Sequence, residues 1–328
     1  MNIVTFGETM VQYNAKYNGP YRIDGDYLED CAGAESNFVL DICRLGMDDI
    51  SAKWVSRLGD DSAGQFILDT LLDGITVVAP KCIGERTGVS YLNHLDNDQH
   101  TKIYQRKGSA ASKLTFQEIQ PHLRGTDLLH VTGITPALSD QCRESTFLAL
   151  QYAQSISLPV SFDLNFREQL WDKVDDAISV FDTMIRSSTI FKLGYDEAEA
   201  VWGCGWTPLE YLGYFQKMNR GIVILTLGPK GAIAFDGDSM TSHSGFEVKV
   251  VDPVGAGDAF VAGFIAGIIR RYTPRQFMEI DNTERYLVLE EAIKIANVCG
   301  AITCTMRGDT SAMPTISEAE QFLLVPKS

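Results

Sequence analysis

The sequence predicts an α/β protein: three layers built on a mostly parallel central sheet, with a small β-sheet set apart from it. Three observations predict this. Short apolar runs ending in glycine or a polar residue alternate with stretches of helical periodicity along most of the chain. Two stretches, 9–30 and 86–109, break that rhythm and read as strands leaving the main sheet. Late in the chain, DPVGAGDAFVAGFIAGIIR at 252–270 joins a glycine turn to a wholly apolar helix.

In chain order, 2–7 reads as a buried strand ending at Gly7, followed by a segment rich in Tyr, Asp and Gly that does not resemble a crossover helix. Phe38, Val39, Ile42 and Leu45 form a helical stripe closed by Gly46. A strand at 54–58 and a helix at 61–72, entered through GDDSAG, follow. Alternating runs on either side of LDNDQH predict a hairpin. Strands at 128–134, 159–165 and 221–228 then alternate with helices at 140–155, 178–185 and 197–202. A hairpin turns at Asp236-Gly237, and 286–303 forms the last helix. The expected division is a main domain of 1–8, 31–85 and 110–328, with 9–30 and 86–109 as a discontinuous β lid.

At 328 residues and 45% hydrophobic content, the chain can bury a large core. A formal charge of −15 disfavours nonspecific binding to nucleic acid or anionic membranes. Seven scattered cysteines form no CxxC pair and no run is long enough for a membrane span, so a soluble cytoplasmic protein is expected. The five histidines lack metal-ligand spacing, and no G-x-S-x-G elbow occurs.

The chemistry centres on Gly255, Ala256, Gly257 and Asp258. Small residues admit a ligand to the backbone, and the unpaired amides of the helix start at Gly257 or Asp258 favour an anion such as a phosphoryl group. A carboxylate there needs another task, and taking a proton from a hydroxyl suits Asp258; a plain glycine turn with Asp258 as N-cap is the structural alternative. Gly33, Glu35 and Asn37 in AGAESN suit a polyhydroxy ligand or an ordinary strand-to-helix turn. Tyr104 and Arg106 lie in YQRKGSAASKL, where a guanidinium suits a carboxylate or a solvated hairpin end. Asn165 and Arg167 follow a strand in DLNFREQLW, at the ligand edge of such sheets. Glu197 could order magnesium waters or sit in an acidic turn. Thr226, Gly228 and Gly231 in TLGPKGA suit phosphate or ribose, or a strand connection, and Asp309 a hydroxyl or a surface loop.

The 252–258 stretch resembles the C-terminal signature of the PfkB/ribokinase family of sugar kinases, D-T-x-G-A-G-D, with Pro253 in place of Thr. Residues 33–37 resemble the family's sugar-binding signature, with Ala32 for its first glycine. Its N-x-x-E magnesium motif appears as Gly194-Tyr195-Asp196-Glu197, so the asparagine is lost. The resemblance implies a Rossmann-like ribokinase fold and transfer of the ATP γ-phosphoryl group to a sugar hydroxyl. It implies Asp258 as base, 255–257 as anion hole, and Asn165, Lys192, Thr226, Gly228, Gly231, Gly255, Gly257 and Asn297 around ATP. It also implies Mg²⁺ held by Glu197 through water, and a monovalent cation near Asp252. YQRKGSAAS, DLNFREQLW and GDTSAMP resemble the 2-keto-3-deoxygluconate kinases. That narrower likeness implies Gly33, Tyr91, Tyr104, Arg106 and Arg167 around a sugar acid phosphorylated at C6. A neutral-sugar kinase of the fructokinase or ribokinase type, and a non-catalytic sugar-binding regulator, are the alternatives. A homo-oligomer, paired as a dimer through the lid edges, is expected.

Overall fold

The computed structural model describes residues 1–47, 49–72, 74–95, 100–306, 308 and 313–324. Nine strands form the main sheet: β1 (Asn2–Phe6), β4 (Ser51–Val55), β6 (Thr76–Val78), β10 (Leu128–Thr132), β11 (Val160–Asp163), β12 (Ile190–Gly194), β13 (Ile222–Thr226), β14 (Ala232–Phe235) and β15 (Met240–His243). Their order is β15-β14-β13-β12-β11-β10-β1-β4-β6. Every pairing from β6 to β13 is parallel, and only the β13–β14 and β14–β15 pairs are antiparallel.

The strands are apolar on both faces because helices cover both. Ile3, Leu128, Ile190 and Ile222 point to one core, which contains α1 (Ala34–Arg44), α8 (Ala256–Ile269) and α10 (Asn282–Thr303). Val4, Leu129, Phe191 and Val223, each one residue on, point to the other. That second core is closed by α3 (Phe116–Leu123), α4 (Asp140–Ser155), α5 (Val174–Ser187), α6 (Tyr195–Trp202) and α7 (Pro208–Met218). The remaining helices are α2 (Ser62–Leu71), α9 (Pro274–Glu279) and α11 (Ile316–Leu324). Strands β5 (Leu58–Gly59) and β7 (Lys81–Cys82) make a two-residue ladder.

The small sheet has the order β3-β2-β8-β9, from β2 (Met10–Asn18), β3 (Tyr27–Ala32), β8 (Val89–His94) and β9 (His100–Gln105). Two antiparallel pairs, one from each excursion of the chain, are joined by the parallel β2–β8 contact. Residues directly across the ladder share a face, so Gln12, Ser90 and Tyr104 line one side and Tyr13, Tyr91 and Ile103 the other. The second side packs through Val11 and Tyr13 against the α1–α8 core.

Candidate active site

The site is assembled where parallel strands end. Helix α8 begins at Ala256, slightly earlier than its pattern suggested, and its N-cap is Gly255 rather than Asp258. Gly255 has φ 79°, a left-handed conformation costly for any residue with a Cβ. The first i→i−4 bond of the helix runs from Ala259 N–H to the Gly255 carbonyl, and Ala256 N–H donates back to the Pro253 carbonyl at 3.4 Å, so the amides of Gly257 and Asp258 are the ones that precede the ladder and point outward.

Asp258 is nearly buried, and two amides grip it. Asn37 Nδ2, from the first turn of α1, donates to Oδ2 at 2.9 Å, and Asn165 Nδ2, just past β11, donates to Oδ1 at 3.1 Å. Asn165 holds this position with φ 40°, an uncommon conformation that asparagine tolerates better than most residues. The three residues stand far apart in sequence, and the strand-end geometry brings them together.

Lys192 lies in β12, in register with Asp163 of β11. Its Nζ contacts both carboxylate oxygens, at 2.9 and 3.2 Å. Burial disfavours the ammonium, but the carboxylates of Asp163, Glu197 and Asp258 more than offset it and raise the Lys192 pKa.

Beside the α8 start lies a cavity of about 770 Å³ lined by Thr226, Gly228, Gly231, Ala256, Gly257 and Asn297, with Phe246, Val248 and Phe260 as an apolar wall. Of the residues expected around a nucleotide, Thr226, Gly228, Gly231, Gly257 and Asn297 line it; Gly255 caps α8 beside it, and Asn165 and Lys192 adjoin Asp258 and Gly257. Asn297 gives its amide hydrogens to the carbonyls of Ile293 and His243. Gly231, at φ 96°, packs its backbone against His243, leaving no room for a side chain.

Glu197 accepts from Phe166 N–H at 2.8 Å and from Gly194 N–H at 2.7 Å, one bond on each oxygen. It therefore ties the β11 exit to the start of α6 and keeps a second lone pair on each oxygen. Among the described residues no three His, Cys, Asp or Glu side chains converge to hold a metal. This donor set fits an ion carried by phosphates and water, not an all-protein cage.

The expected sugar-binding residues divide. Arg106 is turned onto Glu8: Nε and Nη2 both lie 2.6 Å from Oε2, and Ser109 Oγ donates to the other carboxylate oxygen. Tyr104 lies beside Arg106, with the guanidinium 5.7 Å from the ring. Tyr91 does not join them. One position out of phase, it lies on the opposite face of the small sheet, stacked on Tyr13 at 5.0 Å; Ser90 occupies the face that carries Tyr104. Glu35 is wholly buried beneath Gly7 and accepts from Thr132 at 2.7 Å and Thr135 at 2.6 Å, so it braces the turn instead of facing a ligand. Burial raises its pKa, opposed by the two threonines. Gly33 is needed by the chain itself, since a Cβ there would lie 2.7 Å from the Glu8 carbonyl oxygen. Arg167 is exposed and bonds the Phe166 carbonyl. Asp309 lies outside the described residues.

Two polar residues on the Tyr104 face were not singled out from the sequence. Gln12 Oε1 and Ser90 Oγ are buried without hydrogen-bond partners. The alternation of β2 and β8 contains that information, but only once the inward face is known. Asp30, also on that face, has its pKa raised by burial, with the Asp252 carboxylate adding to the effect.

A carboxylate fixed at a helix start, between a nucleotide-sized cavity and a polar small sheet, belongs to a phosphotransferase that acts on hydroxyl groups. The chain belongs to the pfkB family of carbohydrate kinases, whose model matches residues 1–316, and is an ATP-dependent sugar kinase. It is 31% identical to the 2-dehydro-3-deoxygluconokinase of Bacillus subtilis (strain 168), over 98% of this chain and 95% of that one. It is 28% identical to fructokinase-1 of Zea mays, over 99% and 98%. A crystal structure of fructokinase from Vibrio cholerae O395, in a form with bound fructose, ADP and calcium ion, superposes with TM-score 0.81 at 26% identity, covering 98% of each chain. No helix among the described residues is long and apolar enough to cross a membrane.

Proposed function

We propose that the protein transfers the γ-phosphoryl group of ATP to the primary hydroxyl of a neutral ketohexose of the fructose class. The observation that carries the sugar choice is the Arg106–Glu8 pair. Because Glu8 is buried and takes the guanidinium charge, the Tyr104 face offers a sugar polarity without net positive charge. This reverses the preference for a sugar acid that the sequence suggested. Fructokinase is also the name of two of the three relatives compared above.

In this reading the sugar lies between Asp258 and the polar face of Gln12, Ser90 and Tyr104. Asp258, held by Asn37 and Asn165, orients the hydroxyl and accepts its proton. The glycine turn and the first-turn amides of α8 from Gly257 on meet the negative charge on the transferred group in a preorganised way. Thr226, Gly228, Gly231 and Asn297 hold the nucleotide. A magnesium ion bound with it would supply charge neutralisation at the phosphates, and Glu197 and its water shell are the residues placed to hold it. The small sheet acts as a lid that excludes water. A monovalent cation near Asp252 and pairing of lid edges across a dimer belong to the same proposal.

A second reading retains 2-keto-3-deoxygluconate, phosphorylated at C6. It is favoured by Arg167, whose exposed guanidinium is available for a carboxylate, and by the Bacillus relative. A panel of fructose, ribose, 2-keto-3-deoxygluconate and nucleosides, assayed for ADP release and sugar phosphate, separates the two. Fructose is expected to have the highest kcat/KM, with Asp258→Asn abolishing turnover on every sugar. A higher value for the sugar acid would overturn the neutral-sugar choice, and turnover by Asp258→Asn would overturn the base.

A further inference from the structure

The apolar wall of the nucleotide cavity is a strap. After β15 ends at His243, residues 244–251 form no helix or strand, yet Phe246, Val248 and Val250 line the cavity. Both ends of the strap are pinned. Gly245 presses on the 228–231 turn, where a Cβ would lie 2.2 Å from the Pro229 carbonyl oxygen. The N–H groups of Val251 and Asp252 both donate to the Cys304 carbonyl, at 2.8 and 3.2 Å, at the C-terminal end of α10. Between those pins, residues 247–250 make no backbone hydrogen bond among the described residues. Side-chain packing therefore sets where the wall stands.

Phe246 carries that packing. Its ring centroid lies 5.2 Å from that of His243 and 5.3 Å from that of Phe322, the latter at 76°, an edge-to-face contact. Phe322 belongs to α11, none of whose described residues lines the cavity. That helix is itself well held. Ile316 N–H donates to the Leu45 carbonyl at 2.9 Å, and Ala319 is buried. Arg270, at the end of α8, grips Glu320 together with Glu291 of α10. A fixed helix thus stands behind a wall that has no ladder of its own. The family model ends at residue 316, so Phe322 lies past the part of the chain that it matches.

We infer that Phe322 is a positioning residue for the nucleotide: it holds Phe246 in place along the cavity wall and so sets the affinity for ATP. The inference rests on the kinase reading above and deepens it, by making α11 part of donor recognition. A ring already fixed in the wall meets the planar base without first being ordered. A loose ring has to be ordered on binding, and that cost appears as weaker affinity. Phe246 belongs to the nucleotide side, whereas Asp258 is held by Asn37 and Asn165. The effect therefore falls on the donor and spares the hydroxyl acceptor and the base.

The test compares Phe322→Ala, Phe322→Tyr and the exposed control Leu324→Ala with the wild-type full chain. Steady-state constants are measured on the sugar the panel selects, and the Kd for ADP by calorimetry. Phe322→Ala is expected to raise KM for ATP and Kd for ADP by about three- to tenfold, the worth of one aromatic pair. Its kcat and its KM for the sugar should stay within about twofold, the pattern of lost uniform binding. Phe322→Tyr, which keeps the ring, should restore ADP binding to within about twofold of wild type, and Leu324→Ala should leave it unchanged. In a Phe246→Ala background, Phe322→Ala should add less than about twofold, because its effect runs through that ring. Unchanged ADP binding in folded Phe322→Ala, a loss shared equally by both KM values and kcat, or full additivity with Phe246→Ala would overturn the inference and leave the kinase reading standing. Wild-type protein inactive on every sugar would overturn the kinase reading, while the ADP titrations would still decide the part played by Phe322. If Phe322→Ala fails to fold, Phe322→Leu, which keeps bulk without the ring, is read in the same way.

Discussion

Arg106 shows how one partner changes the meaning of a residue. Seen in YQRKGSAAS, it is a cation beside an aromatic ring and suits an acidic ligand. In the fold it is committed to Glu8, 98 positions away, and that pairing is invisible in any local pattern. Glu8→Gln should release its charge. The ratio of kcat/KM for 2-keto-3-deoxygluconate over fructose is expected to rise several-fold, with a lower Tm because a buried cation loses its counter-charge. An unchanged ratio in steady-state assays would mean that Arg106 does not face the sugar. Other residues were legible for sound reasons. Asp258 and its glycine turn announce themselves because a carboxylate at an anion-binding helix start demands an explanation. Tyr91 falls on the face opposite Tyr104 because adjacent strand residues point to opposite faces, and phase is set by which face the rest of the chain covers.

At the scale of elements, the buried parallel strands and the apolar α8 were readable from hydrophobicity alone, and α4 spans the residues its periodicity indicated. Helices α3, α7, α9 and α11 were not singled out, being short and flanked by polar loops. Each carries a signal that could have found it. Thr115 with Glu118, Thr207 with Glu210, Thr273 with Gln276 and Thr315 with Glu318 are all threonine-led capping pairs, hydrogen-bonded across three residues. In α8 a different economy operates. Gly263 and Gly267 face α10, where a Cβ on Gly263 would lie 2.8 Å from Cys299 Sγ and one on Gly267 would overlap Ala292. The two helices therefore pack backbone to backbone along the part of α8 that follows its glycine turn. Gly267→Ala should destabilise the protein by about 1–3 kcal/mol through overpacking. Thermal unfolding would register this as a fall of several degrees, with kcat little altered below the transition because Asp258 lies at the far end of the helix.

Across the whole molecule, a buried histidine in the central sheet ties stability to pH. His130 stacks on Phe38 with centroids 3.9 Å apart and shares a hydrogen bond with Ser161. Burial, reinforced by the Lys192 charge, drives its pKa down to about 3. The folded protein thus keeps this ring neutral while the unfolded chain protonates it below its ordinary value near 6.5. Stability from this residue is complete above that value. It is lost as pH falls toward about 3, at up to about 1.4 kcal/mol per pH unit. His130→Gln should flatten that slope: between about pH 7 and pH 4, Tm is expected to fall more steeply for wild type than for the variant. Parallel slopes would show that the acid sensitivity lies elsewhere.

The small sheet also has an optical consequence. Tyr13, Tyr17, Tyr21, Tyr27 and Tyr91 crowd together on it, with neighbouring ring centroids 4.8 to 6.4 Å apart. The chain's four tryptophans, at 54, 171, 202 and 206, all belong to the main body. Indole emission therefore reports on the main body alone, while the coupled rings of the small sheet contribute to the tyrosine near-ultraviolet dichroism alongside main-body tyrosines such as Tyr211 and Tyr214. Adding sugar, nucleotide or both and comparing the two signals would set changes at the small sheet against changes in the main body without introducing a dye.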